Sequence, residues 1–394
     1  MVILDDISDC CGCSACANIC PKQCVRMIPD QDGFFYPSID NTICVNCNIC
    51  VSVCPVKNKI SNSDSIIDSY VVQNRNEQDR SCSTSGGFFA SVAQYVIENE
   101  GVVFAPSFGE GLTVKHTEIT NTAELELALG SKYVQSEVGR TYLKAKNYLN
   151  QGRLVCFAGT PCQIEGLLRF LNNTPPNLIT IGVVCHGVPS PKVWKKFLDE
   201  TEKHYKKQIT YVNFRDKTLG YNRSGVKLFF EDGSEKVMTP PDIYLSTFFA
   251  EICSRPSCYK CKFKEIGRLS DFTIFDAWHA EDKVFDLDAN GSTNVFVNTQ
   301  NGASVLKNIE SKLKLKKVGY EKAISEDGIM ILNSAVPNPN RKKFFDDLDQ
   351  CSLKQLQRKY YPMSLKKYMK YVVKDVLNSF GILERINGKG EHSG

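Results

Sequence analysis

Two runs of cysteine, set 34 residues apart, constrain this chain more than anything else in it. Cys10, Cys13, Cys16 and Cys20 follow the spacing C-x2-C-x2-C-x3-C and precede Pro21. Cys44, Cys47, Cys50 and Cys54 repeat that spacing and precede Pro55. Ten of the 18 cysteines fall within the first 54 residues. The segment before Cys10 carries two early aspartates ahead of any basic residue and no apolar stretch, which argues against a secretory leader and for the cytoplasm. Thiols in that compartment do not persist as disulfides, so the density points to metal or redox chemistry.

The spacing is the bacterial ferredoxin run. Three closely spaced thiolates wrap one cluster in a tight turn, and the fourth starts a short helix that reaches the other cluster. Cluster one is therefore assigned to Cys10, Cys13, Cys16 and Cys54, and cluster two to Cys44, Cys47, Cys50 and Cys20. A pair of zinc sites is the competing reading. Zinc knuckles need no third cysteine at this spacing and often use histidine, and no histidine precedes His116. Cys11 and Cys24 stand outside the pattern and read as thiols packed near the clusters.

The rest of the chain is ordinary in composition, with 42% hydrophobic and 23% charged residues among 394. Apolar runs such as Ile181–Cys185 are far too short to span a bilayer. The net charge of +4, from 48 basic and 44 acidic residues, gives no reason to expect nucleic acid. The basicity sits in the tail: Cys351–Gly394 holds nine Lys/Arg against three Asp/Glu.

The expected organisation is a ferredoxin-type domain at 1–60, a linker at 61–69, a body at 70–345 and a basic helical tail at 346–394. Strands are expected at Tyr70–Val72, Gly101–Phe104, Arg153–Ala158, Leu178–Cys185, Ile209–Phe214, Val226–Glu231, Phe272–Phe275 and Asn294–Asn298. Helices are expected at Gly86–Glu98, Thr122–Leu129, Val138–Leu149, Pro161–Leu171 and Pro191–Lys206. The β-α-β order around Pro161–Leu171 implies at least a partly parallel sheet. The fold class is thus α+β or α/β, a ferredoxin domain fused to a mixed-sheet α/β body. The tail's Leu365, Met369, Val372 and Val376, interleaved with Lys366, Lys367, Lys370 and Lys374, reads as an amphipathic helix. Such a helix caps a body with its lysines in water or lies on an anionic membrane surface.

Further motifs lie in the body. Gly159-Thr160-Pro161-Cys162-Gln163 leaves a strand and opens a helix, and Cys185-His186-Gly187 ends the next strand. Strand ends of this kind line the ligand crevice of open α/β sheets. Cys258 and Cys261, a C-x2-C pair in a later loop, could complete a four-thiolate site there, with structural cysteines as the alternative.

With Ser85-Gly86-Gly87 and Gly130-Ser131-Lys132-Tyr133, these motifs occur in an order that resembles the beta subunits of coenzyme F-420-reducing hydrogenases and F-420-linked formate dehydrogenases. Relatives such as 7-hydroxymethyl chlorophyll a reductase are similar. The resemblance runs from about Tyr70 to Thr299. It implies FAD and a third 4Fe-4S cluster, whose ligands carry over to Cys162, Cys185, Cys258 and Cys261. It also implies that Ser85, Gly86, Gly87, Gly159 and Thr160 hold the flavin or its phosphates. Lys132 would stabilise the reduced flavin and Tyr133 would stack on it or pack. An ordinary N-cap at Ser85 and a solvated Lys132 are the plainer readings. His186 is the candidate catalytic proton donor, or a structural histidine. His116 and His204 read as surface residues, and Arg255, Arg268, Asp271 and Asp276 as Arg–Asp pairs shaping the third-cluster loop.

Phe275 and His279 stand where the family usually has glycine, which puts its particular substrates in doubt and suggests a narrowed substrate side. The expected function is an iron–sulfur flavin oxidoreductase. Electrons would come from a ferredoxin-like donor and end on a small-molecule substrate or deazaflavin-type coenzyme. An electron-transfer subunit with no substrate of its own is the alternative.

Overall fold

The computed structural model describes residues 4–60, 66–218, 220–221, 225–238, 242–280 and 290–362. Residues 61–65 of the expected linker at 61–69 and the amphipathic tail beyond 362 lie outside the described residues, and the linker's last two residues already belong to a strand. Contacts divide the chain into two compact units.

The larger unit comprises residues 1–192, 214–224 and 254–336. It begins with the cysteine-rich module. A short helix α1 (Ala15–Ile19) and a second, α2 (Ile49–Ser52), flank a hairpin of β1 (Val25–Pro29) and β2 (Phe35–Ile39). The internal repeat is written into the backbone. Gly12 and Ser14 before α1 adopt positive φ, as do Asn46 and Asn48, each 34 residues later, before α2. These left-handed residues make the tight turn that folds three thiols inward.

An eight-stranded sheet follows, with order β13-β3-β12-β11-β7-β6-β4-β5. Its centre is parallel: β4 (Val102–Phe108), β6 (Val155–Gly159), β7 (Leu178–Val183) and β11 (Phe272–Asp276). Antiparallel strands close both sides: β5 (Val114–Ile119) beside β4, and β12 (Thr293–Val297), β3 (Asp68–Asn74) and β13 (Leu313–Lys317) beyond β11. The fold is mixed α/β, and the β-α-β unit is parallel as its apolar runs implied. β5 and β13 escape sequence reading because they carry lysines and lie at the two edges of the sheet.

Both faces of the central strands are covered, which is why these strands read as continuous apolar runs. On one side Val103, Cys156 and Ala158 pack under Phe88, Val92 and Val96 of a helix at Phe88–Glu98. On the other, Val102, Phe104, Val155 and Phe157 meet Tyr142, Ala145 and Leu149 of a helix at Thr141–Asn150 and Ile164 and Leu167 of a helix at Pro161–Leu171. Ala15, Cys13 and Val53 of the cysteine module join this second cluster, so the module shares a core with the body.

The smaller unit comprises residues 193–213, 225–253 and 337–394. Strands β9 (Gly225–Phe230) and β10 (Glu235–Met238) pair antiparallel in a three-stranded sheet with β8 (Ile209–Asp216). Trp194, Phe197 and Tyr244 pack as an aromatic cluster, with Trp194 and Tyr244 centroids 4.9 Å apart. No described helix is long and apolar enough to cross a membrane.

Phe275 corrects an expectation. Alternation along β11 turns it away from Asp276 and into a cluster with Phe296, Ile324 and Ile331. It therefore fills core instead of narrowing a substrate site. His279 is largely exposed and pairs with Asp327 at 2.8 Å.

Glu165 lies inside the larger unit at 4% exposure and accepts a hydrogen bond from the Ile60 amide at 3.0 Å. Burial raises its carboxyl to about 7. The folded chain thus keeps a proton that the unfolded chain releases above pH 4.5, so stability falls as pH rises from about 4.5 to 7. Glu165→Gln should remove that part of the slope, read as melting temperature against pH beside the parent chain.

Candidate metal centre

The parallel strands bring the body's motifs to one edge. Thr160–Cys162 leave the C-terminal end of β6, Cys185 and His186 follow β7, and Asp276–Trp278 continue β11. The helix at Pro161–Leu171 starts where it does because Pro161 is its first residue and Thr160 and Gln163 form a capping box. Thr160 accordingly spends its amide on Gln163 Oε1 at 3.0 Å, and its hydroxyl lies 3.2 Å from Cys162 Sγ.

Cys162, Cys185, Cys258 and Cys261 converge. They line a single cleft of about 720 Å³, together with Cys11, His186, Lys264 and Arg268. Burial pushes the Cys185 thiol up to about 12, with the charge of Cys162 adding to it. Cys258 and Cys261 are raised by burial and by their neighbours in the same set. Four half-buried thiols that oppose each other's ionisation suit bound cationic iron, whose charge would hold them as thiolates. Cations already stand nearby: Lys264 Nζ donates to Cys185 O at 2.5 Å, and Arg268 lines the cleft.

The ferredoxin cysteines fall into two further groups. Burial raises Cys16, and the charges of Cys10 and Cys54 act on it next. Cys20, Cys44, Cys47 and Cys50 line a second cavity of about 330 Å³ with Cys24, whose sulfur is 3.3 Å from that of Cys20. Each repeat thus surrenders its last cysteine to the other group. Among the described residues no three His, Cys, Asp or Glu side chains close around a single ion. A four-iron cluster asks for wider spacing, with sulfurs roughly 6–7 Å apart.

Arg255 does not pair with aspartate as the sequence suggested. It is fully buried, donating to Cys10 O at 2.6 Å, Gln135 Oε1 at 3.0 Å and Phe35 O at 3.0 Å, and it lies 4.2 Å from the Tyr36 ring. Asp271 instead accepts from the Thr180 amide at 2.7 Å. Asp276 does pair with an arginine, Arg215, at 3.2 Å. His116 is buried, not on the surface. It stacks on Phe157, bonds Ala158 O at 3.0 Å, and burial lowers it to about 4.

The two loops that carry most of the expected flavin residues touch each other. Thr84 Oγ1 and Ser131 Oγ are 2.9 Å apart, and the Ser85 hydroxyl donates to Asp276. Gly86 presses on β3, where a Cβ would sit 2.2 Å from Val72 O, and its amide donates to Thr293 Oγ1 at 2.8 Å. Gly87, at φ +82°, opens the helix at Phe88–Glu98 with no side-chain cap, which leaves a terminus suited to phosphate. Lys132 is half-buried, with its ammonium 5.9 Å from the Phe108 ring. Its three protons go to Leu127, Ala128 and Leu129 carbonyls at 3.2, 2.8 and 2.7 Å, closing a helix end, and burial lowers it to about 7. The cation on Tyr133 is Arg215, 3.2 Å from its hydroxyl and 4.5 Å from the Trp278 ring. Gln135, three residues after Lys132, lines the cleft, so the two regions stand within about 11 Å along the chain. Arg215, Gln135, Lys264 and Trp278 had no motif to announce them.

Residues 9–58 match the family model described as a 4Fe-4S dicluster domain. Residues 152–322 match that of the coenzyme F420 hydrogenase/dehydrogenase beta subunit, C terminus. The resemblance read from the motifs is therefore shown on both segments, although Ser85–Gly87, Lys132 and Tyr133 precede the second. No curated protein matches the chain. Among solved structures, the xenon-derivatised F420-reducing NiFe hydrogenase complex from Methanosarcina barkeri is similar, at 14% identity and TM-score 0.46, covering 76% of this chain and 94% of that one.

If the three cysteine groups are separate centres, Cys185→Ala should lower iron from about 12 to about 8 per chain. Cys47→Ser should remove the same amount and leave any bound flavin in place. Iron and flavin assays on anaerobically purified variants decide both.

Proposed function

We propose that the chain is an iron–sulfur flavin oxidoreductase that moves electrons between a one-electron protein donor of ferredoxin type and a small organic substrate. The observation that carries this is the cleft at the ends of β6 and β7, where four thiols from three separate segments meet and which the chain leaving the 131–133 loop reaches at Gln135. Clusters and FAD, when bound, supply one-electron storage and the conversion to two-electron chemistry. Three thiol groups would hold the clusters: Cys10, Cys13, Cys16 and Cys54; Cys20, Cys44, Cys47 and Cys50; and Cys162, Cys185, Cys258 and Cys261.

The chain's own residues orient and exclude. The uncapped amides after Gly87 would hold the flavin's phosphates, and the Thr84 and Ser131 hydroxyls, in contact with each other, would add donors. Arg215, held by Asp276 and Tyr133, takes the cationic part that sequence reading gave to Lys132. Lys132 instead keeps its loop in place. Gly159 and Thr160 set the start of the helix that presents Cys162. His186, next to Cys185 in the cleft, is placed to carry a proton on its imidazole.

Anaerobic purification followed by iron, sulfide and flavin analysis tests the reading. About 12 irons and one FAD per chain are expected, and turnover of a small electron acceptor by the isolated chain. Zinc in place of iron, or absence of flavin, overturns it. A fully loaded chain that turns over no small molecule selects the electron-transfer subunit instead.

A further inference from the structure

The two matched segments meet at one helix. Gly166 lies one turn after Cys162 on the helix at Pro161–Leu171, so the two positions share a face and their Cβ positions stand about 5–6 Å apart. A Cβ on Gly166 would be 2.9 Å from both Cβ and Sγ of Cys13, and 3.1 Å from the Tyr142 hydroxyl. Glycine there is a condition of close approach between a ligand of the first group and a ligand of the third. Tyr142 backs the junction by donating to Gln163 O at 2.6 Å. Cys11, outside both ligand sets, packs in the same cluster as Cys13 and lines the cleft with Cys162. In the second group Cys47 is exposed, with Val45 58% and Ile43 47% accessible beside it.

We propose that the third centre is wired to the first N-terminal centre through a thiol junction of Cys13, Cys11 and Cys162 that Gly166 holds closed, with the second centre as the outer relay. The inference rests on the three-centre reading above. One electron passes from the first centre to the third, oxidising one and reducing the other by a single unit. No bond forms or breaks and no proton moves. The reductant is a one-electron donor such as dithionite. Cys11 acts as a positioning and tuning residue, since its S–H, packed with Cys13 and facing the cleft of Cys162, would donate to one ligand sulfur and such a bond raises that centre's potential.

The test uses the loaded full-length chain. Wild-type iron near 12 establishes the three-centre reading on which the junction depends. Cys11→Ala should retain all iron, lower the potential of whichever centre its thiol serves, and slow reduction of the third centre from the first by roughly tenfold or more. Cys11→Ser keeps a donor and should restore the potential. Gly166→Ala should weaken the magnetic coupling between the reduced first and third centres in electron paramagnetic resonance. If Gly166→Ala does not load, Cys11→Ala decides alone. Full iron with unchanged potential and unchanged transfer rate in Cys11→Ala overturns the junction. So does undiminished reduction of the third centre in Cys16→Ala, which lacks the first.

Discussion

A guanidinium buried at the seam between the cysteine module and the sheet is the constraint on which the rest depends. Arg255 is inaccessible to solvent, and removing a cation from water costs several kcal/mol unless partners replace the lost hydration. Its partners come from both sides: backbone carbonyls of Cys10 and Phe35 and a ring at Tyr36 from the module, and the Gln135 side chain from the body. Arg255 also pulls the Cys10 thiol downward against the burial that raises it. A thiolate group bound to iron at the proposed first centre would add negative charge at that place, so loading it and seating the module would reinforce each other through one side chain.

The same seam explains why the two copies of the cysteine repeat have diverged. Both need a left-handed residue between the first and second cysteines, and they meet that need differently. At Gly12 a Cβ would lie 2.5 Å from Gln135 Nε2 and 3.0 Å from Arg255, so only glycine fits. At the equivalent Asn46 the chain is exposed and asparagine, which tolerates this conformation, suffices. The inward copy is packed by the body and the outward copy meets solvent. The asymmetry in sequence is thus a record of which centre faces the sheet.

What could be read beforehand divides along the range of the interaction. The ferredoxin ligands are legible because their grouping is imposed by a spacing of two or three residues. The central strands are legible because burial on both faces removes all polar alternation. Phe275 was misjudged because its place in a motif said nothing of which face of β11 it occupies. His116 was misjudged because histidine is usually exposed, and only the fold shows the carbonyl that receives it. Arg255 looked like an ion-pair partner, yet carbonyls and an aromatic ring surround it.

The third thiol group belongs to neither class. Its members lie as much as 99 residues apart, from Cys162 to Cys261, and no local rule unites them. They meet because β6 and β7 are adjacent and parallel, which sends Cys162 and Cys185 out of the same edge. The loop with Cys258 and Cys261 is drawn to that edge by the Arg255 amide, bonded to Val188 O at 3.0 Å, and by the bridge of Pro189 to Ser254. The Arg255 backbone thus brings the last two thiols to the third centre while its side chain holds the first. One residue positions parts of both centres, and Gly166 lets the ligands between them approach. Spacing between the centres is therefore a property of the seam, set by the packing of a module and a sheet that carry their ligands separately.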